Sequence, residues 1–272
     1  MESGERSTVS QAPDVLRLLH AGSVELEGQL IDASNTTLRA TLSADGMTAR
    51  CVYKPIRGER PLWDFPDGTL AGREVAAYLV ARALDWPLVP PTILRDGPFG
   101  PGACQLWIEE PAESSALVGF VPAEQVPADW LPIAAARDPA GNAYALGHAD
   151  DSRLARMAVF DALVNNADRK GGHILTGPDG QAYGVDHGLC FHVDEKLRTV
   201  LWGWAGRPLP EQVGPALTRL RSALAGRLRD ELADLLTVAE VAALDHRAER
   251  LLDAGHFPPP PDDRSAIPWP PM

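Results

Sequence analysis

Asn166-Ala-Asp-Arg-Lys-Gly-Gly-His173 and, shortly after it, Val185-Asp-His-Gly188 are the stretches on which the reading of this chain turns. Between them, the β-prone runs His173–Thr176 and Ala182–Val185 flank Gly177-Pro-Asp-Gly180, a strong turn signal, so the segment reads as a tight hairpin. A hairpin brings its two ends together. Asp168 and Asp186 therefore converge on one small space, with Arg169, Lys170 and His173 beside them. Carboxylates suit a hard divalent cation, and Arg and Lys offset phosphate charge. The pattern predicts a site for a metal ion and an anionic group. A helix over Arg153–Asn165, with Leu154, Met157, Phe160 and Val164 at helical spacing, leads straight into it.

Upstream, a short helix over Asp14–His20 is ended by Gly22, and three β-like runs follow: Val24–Ile31, Leu38–Ser43 and Ala49–Pro55. Ala44-Asp-Gly46 is a hairpin turn, and the first two runs are joined by the polar loop Asp32–Thr37. After an irregular stretch, Thr69 is the N-cap of a helix over Leu70–Leu84, which Trp86-Pro87 stops. Val89–Leu94 and Ala103–Ile108 complete a mostly antiparallel sheet. Lys54 ends the strand Cys51-Val-Tyr-Lys54, and Glu74 lies in the first turns of the helix that follows. A strand lysine paired with a helix glutamate aims an ammonium at nucleotide phosphates. The loop carrying Ser34, Asn35 and Thr36 lies where a phosphate-covering loop belongs, although it lacks the usual glycines.

Residues 112–150, rich in Ala, Pro and Asp, are not assigned by pattern. Beyond the hairpin the chain reads as helical, with a capping box Thr237-Val-Ala-Glu240 opening a helix that closes at Gly255. Phe257–Met272 reads as a Pro-rich, extended or loosely attached tail. The expected organisation is residues 1–110 as a β-rich nucleotide-covering lobe, 111–256 as a helical lobe carrying the catalytic and metal loops, and 257–272 as the tail.

The bulk numbers bound the function. Within 272 residues, 45% hydrophobic and 23% charged, a sizeable core is available without a staple. A formal net charge of −12 argues against nucleic acid as the main partner, because an acidic surface repels phosphate backbones. Cys51, Cys104 and Cys190 form no CxxC pair and sit among apolar neighbours, so they read as reduced core thiols. The first residues lack the apolar run of a signal peptide, and no stretch reaches membrane-span length, so a soluble, cytoplasmic protein without stable membrane insertion is expected. Trp202 and Trp204 read as core or substrate-lobe packing, and His187 and His192 as packing or loop-orienting groups.

In the order Val-Tyr-Lys-Pro55, Gly72-Arg-Glu74, Asn166–His173 and Val185-Asp-His-Gly188, the chain resembles the phosphatidylinositol 3-/4-kinase-like superfamily, including its HipA-like bacterial branch and an actinobacterial family of uncharacterised kinase-like proteins. The resemblance covers roughly residues 24–205. It implies a bilobal, protein-kinase-like α+β fold, with an antiparallel-sheet N-lobe carrying one main helix and a mainly helical C-lobe. It implies ATP as cosubstrate with Mg2+ or Mn2+. Lys54 would contact the α/β-phosphates, oriented by Glu74, while Asp168, with Arg169 and Lys170 beside it, would serve the acceptor hydroxyl. Asp186 would be the principal metal ligand, and Trp107, Ile108 and Glu109 would form the hinge against adenine. Three motif positions differ from the family pattern: Lys170 stands for its usual His, His173 for its metal-binding Asn, and His187 for the Phe of the second motif. An imidazole ligand favours softer ions than Mg2+, which brings Mn2+ forward.

The expected activity is transfer of the γ-phosphate to a hydroxyl of a protein or small molecule. A phosphoinositide acceptor is disfavoured by the acidic balance and by the lack of clustered basic residues. A nucleotide-binding pseudokinase acting as a regulatory module, and a metallohydrolase using Asp168, His173, Asp186 and His187, are the competing readings.

Overall fold

The computed structural model describes residues 12–30 and 35–272. Its fold is α+β, with three antiparallel sheets and six α-helices among those residues. The first half runs α1 (Ala12–Ala21), β1 (Ser23–Gln29), β2 (Leu38–Ala44), β3 (Met47–Pro55), α2 (Leu70–Ala83), β4 (Thr92–Gly97) and β5 (Gly100–Leu106). The five strands form one sheet in the order β1-β2-β3-β5-β4. Side chains alternate across a strand. Cys51 and Cys104 therefore face α1, in a cluster with Val15, Leu18, Leu19, Ala40, Leu42 and Ile93. Lys54, of opposite parity and paired with Ala103, belongs to the other face, which α2 covers through Ala71 and Val75.

α2 begins where it does because its first amides are all answered. Thr69 Oγ1 accepts from Gly72 N at 2.9 Å, and the Glu59 carboxylate accepts from Leu70 N at 3.0 Å and Ala71 N at 2.8 Å. A carboxylate at that end also suits the helix dipole.

The stretch that sequence pattern did not assign holds a second sheet. β6 (Val118–Pro122), β7 (Trp130–Arg137) and β8 (Ala143–Ala149) pair in the order β6-β8-β7. The alanine run of β7, its mostly half-exposed side chains and the register shift between Pro132 and Ala134 blur the period-two signal. Next come α3 (Ser152–Val164), the hairpin β9 (Ile174–Thr176) and β10 (Ala182–Gly184), then α4 (Val213–Leu224), α5 (Arg227–Ala233) and α6 (Val238–Ala254). The hairpin, the Thr237–Glu240 capping box and the Gly255 stop stand where the sequence puts them.

The main core joins both halves. Ala76, Val80 and Leu84 of α2 pack in one cluster with Leu154, Met157 and Phe160 of α3, Leu217 and Leu220 of α4, and Leu244 and Leu251 of α6. α2 is also held by charge: buried Arg73 pairs with Glu240 of α6 at 2.5 Å and donates to the carbonyls of Cys190 at 2.7 Å and Asp67 at 2.9 Å. All three cysteines are free and buried, as expected.

The tail corrects an expectation. It is extended, but it is docked rather than loosely attached. Phe257 stacks on Trp204 with centroids 6.0 Å apart, Ala266 O accepts from Thr199 N and Trp202 Nε1, and Pro268 and Pro271 are buried. Short proline-rich composition hides such docking, because its contacts are carbonyl acceptors and ring faces without periodicity.

Arg73→Met is expected to destabilise the fold by about 3–5 kcal/mol, since it strands the buried Glu240 carboxylate. Urea unfolding measures this, and Arg227→Met, at an exposed pair with Glu231, should leave the midpoint unchanged.

Candidate active site

The floor of the site is a buried ion pair. Asp161, fully buried on α3, accepts from Arg169 Nε at 3.1 Å and Nη2 at 3.0 Å, from Asn166 Nδ2 at 3.0 Å and from Thr199 Oγ1 at 3.2 Å. Arg169, equally buried, donates through Nη1 to Val185 O at 2.8 Å and His173 O at 3.3 Å, and its Nη2 lies 2.7 Å from His187 Nε2. Burial disfavours the guanidinium charge, and Asp161 more than offsets it, leaving the group more basic than usual. Gly184 makes room: a Cβ there would come within 3.0 Å of Arg169 Nη2. One guanidinium thus ties the 166–173 loop to the 185–187 loop. The whole Arg169 side chain lies buried beneath the loops, bonded to their backbone.

Above this floor, Lys54 reaches from β3 to Glu74 Oε1 and to Asp186 Oδ1, the latter at 2.8 Å. The second oxygen of Glu74 accepts from His187 N at 3.0 Å. Burial alone would favour neutral Lys54, but Asp186 and Glu74 raise its pKa well above the ordinary value. Lys54 in turn drives the Asp186 carboxyl far below its usual range. Asp186 adopts φ 60°, a left-handed conformation that Asp tolerates better than most residues.

Asp168 stands at the rim. Its amide donates to Asn166 Oδ1 at 3.0 Å, and its carboxylate lies 3.3 Å from Lys170 Nζ. Burial raises the Asp168 pKa, with Lys170 pulling against it. His173 Nε2 lies 3.4 Å from Asp186 Oδ2, and burial lowers the imidazole pKa to about 4, so the ring is neutral near pH 7. A neutral imidazole nitrogen beside a carboxylate oxygen is a donor pair that fits a divalent ion. Among the described residues no group of three or more His, Cys, Asp or Glu converges for a metal.

The remaining candidate residues divide. Ser34 lies outside the described residues. Asn35 and Thr36 are turned to structural work: Asn35 Oδ1 accepts from Arg60 N at 2.8 Å, and Thr36 N donates to Gly58 O at 3.3 Å. The Thr36 amide is thereby engaged, while Asn35 Oδ1 is an acceptor and not a group that would bind a phosphate. Trp107 continues the sheet by donating to Arg50 O at 3.0 Å, with Arg39 over its ring at 5.9 Å. Among the described residues, no backbone hydrogen bond uses the N–H or C=O groups of Ile108 or Glu109. Those groups remain open to a ligand. Trp204 and His192 pack as expected, against Phe257 and Phe65 respectively.

Sequence reasoning missed Asp161 and Thr199. Asp161 carried a signal, since it follows Leu154 by seven residues, two helical turns, and so shares the apolar stripe of α3. A carboxylate in such a stripe demands a buried cation, and Arg169 is the nearest one downstream. Thr199 carried none.

No protein-family model matches this chain. Protein Rv2133c of Mycobacterium tuberculosis is 52% identical over 261 residues, spanning 93% of this chain and 94% of that protein. The chain belongs to the family of Rv2133c. In structure it is similar to the Helicobacter pylori proinflammatory kinase CtkA, with a TM-score of 0.46 and 12% identity over 88% of this chain and 95% of that one. That correspondence is too loose to assign an activity, and membership in the Rv2133c family names no chemistry.

Asp161→Asn should cost about 3–5 kcal/mol by leaving Arg169 buried without its counter-charge. Amide exchange should then accelerate in 166–173 and 185–188 together, and loosening of one loop alone would contradict the shared floor. A pH effect follows from His173. Its folded pKa of about 4 lies below the ordinary value of about 6.5, so the unfolded chain binds the proton more readily. That stability is complete above pH ~6.5 and is lost as pH falls toward 4; His187, lowered in the same direction by burial and Arg169, adds to it. Melting temperatures from pH 4 to 8 should show this slope, and His173→Asn should reduce it, leaving the part due to His187.

Proposed function

We propose that this protein is an ATP-dependent phosphotransferase, an atypical kinase of the phosphatidylinositol 3-/4-kinase-like type, HipA-like branch, acting on a hydroxyl of a protein or small-molecule acceptor in the cytoplasm. The observation that carries this reading is the Lys54 ammonium bound at once to helix Glu74 and to Asp186 of the metal loop. A strand lysine, a helix glutamate and a metal-loop aspartate in one contact are the parts that position nucleotide phosphates in kinases.

In this reading Lys54 holds the α/β-phosphates, and Glu74 fixes where its ammonium points. The open backbone groups of Ile108 and Glu109 meet the adenine edge. Asp168 orients the acceptor hydroxyl and takes its proton, a role helped by the burial that raises its pKa. Lys170, 3.3 Å away, supplies positive charge to the phosphoryl group in transit. His173 and Asp186 would hold Mg2+ or Mn2+, which supplies charge neutralisation between the phosphates, and the imidazole donor favours Mn2+. A phosphoinositide acceptor is disfavoured by the net charge of −12, and nucleic acid for the same reason. Among the described residues no helix is long and apolar enough to cross a membrane.

With ATP and Mg2+ or Mn2+, the purified protein should transfer or hydrolyse the γ-phosphate. Asp168→Ala should lower kcat by about 10²–10⁴-fold while stabilisation by a non-hydrolysable ATP analogue persists. Lys54→Met should weaken that stabilisation itself. Equal turnover in wild type and Asp168→Ala would sink the kinase reading, and metal-dependent analogue binding without turnover would identify a pseudokinase.

A further inference from the structure

The proline-rich end of the chain finishes on the catalytic loop. Gly171, between Lys170 and His173, donates its amide to Pro271 O at 2.8 Å. A Cβ on Gly171 would lie 2.5 Å from Met272 Sδ and 3.4 Å from Val118 Cγ1, so the tail and β6 close over this backbone. The same tail grips the loop a second time, indirectly. Ala266 O accepts from Thr199 N at 3.0 Å and from Trp202 Nε1 at 2.9 Å. Residues 198–200 then pair with the loop itself: Arg198 N donates to Asn166 O at 2.9 Å, Arg169 N to Arg198 O at 3.1 Å, and Val200 N to Arg169 O at 3.2 Å. Thr199 adds its hydroxyl to Asp161. Loop 166–171 is thus clamped between the 198–200 segment and the tail, and the tail holds both.

We propose that residues 266–272 are a positioning element of the active site, a strap that sets the backbone between Lys170 and His173 and thereby the places of both side chains. The Pro271 carbonyl is its working group. Proline suits such a strap, since fixed φ angles keep it extended at low entropic cost, and the absent amides leave no donors to satisfy against the loop. The kinetic side of this proposal rests on the phosphotransferase reading; the structural side does not.

A chain ending at Asp263 provides the test, beside Gly171→Ala in the full-length chain. In the shortened chain, hydrogen exchange should quicken at 169–171 and 198–200 while α2 and α6 keep their protection. Its kcat should fall by about tenfold to a hundredfold with the KM for ATP little changed, because misplaced loop groups harm the transfer more than nucleotide binding. Gly171→Ala should leave both nearly unchanged, because the Met272 thioether it meets is the free end of a flexible, exposed side chain and the Pro271 carbonyl bond is kept. Unchanged exchange at 169–171 in the shortened chain would overturn the strap. So would an equal loss of protection throughout the fold, which makes the tail a general staple. If exchange changes as expected but the wild type transfers no phosphate, the strap stands and the phosphotransferase reading falls.

Discussion

The contact between Asp161 and Arg169 is the constraint on which the candidate site depends. Neither charge reaches solvent, so each is tolerable only with the other, and a buried pair missing one partner is strongly destabilising. Because the pair also binds Asn166, His173 O, Val185 O and His187, the cost of breaking it enforces the geometry of two separate loops. The residues proposed to meet substrate, Asp168 and Asp186, are not in the pair. They project from a backbone that it holds, which lets them carry charge at a half-open rim while the buried network keeps that backbone in place.

A second constraint runs through α2. In a two-part site the helix bearing the glutamate is free to move unless something fixes it. Here Glu59 and Thr69 answer its first amides, Arg73 ties it to Glu240, and Arg219 donates to Leu84 O at its far end. Its apolar residues share one core with α3, α4 and α6. The Lys54–Glu74 contact is consequently built into the main core rather than assembled on a mobile element.

How much was legible in the sequence depended on whether local chemistry or distant packing decided each feature. The hairpin at 174–184 was legible because Gly177-Pro-Asp-Gly180 has few other uses, and it alone implied the convergence of Asp168 and Asp186. The α6 boundaries were legible from the capping box and Gly255. The β6-β8-β7 sheet was not, because the alanine-rich, half-exposed β7 and the buried run in β8 lack a clean period-two pattern. At the loop expected to cover phosphates, contacts with Arg60 and Gly58, some 22 to 25 residues on, hold the Asn35 side-chain carbonyl and the Thr36 amide, which no local pattern showed.

By itself the sequence determined the elements whose signals are local: helices α1, α2, α3 and α6, the turns, and the order of the charged motifs. Only the tertiary structure decided what those charges do to one another. Arg169 went beneath the site and Lys170 to its rim, though they are adjacent in sequence, because a buried Asp161 on α3 took the first. The tail went onto this region because Pro271 O meets the bare Gly171 amide and Ala266 O meets Thr199 N and Trp202 Nε1. Burial and pairing are properties of the packed chain, and no local pattern encodes which of two neighbouring cations the core will claim.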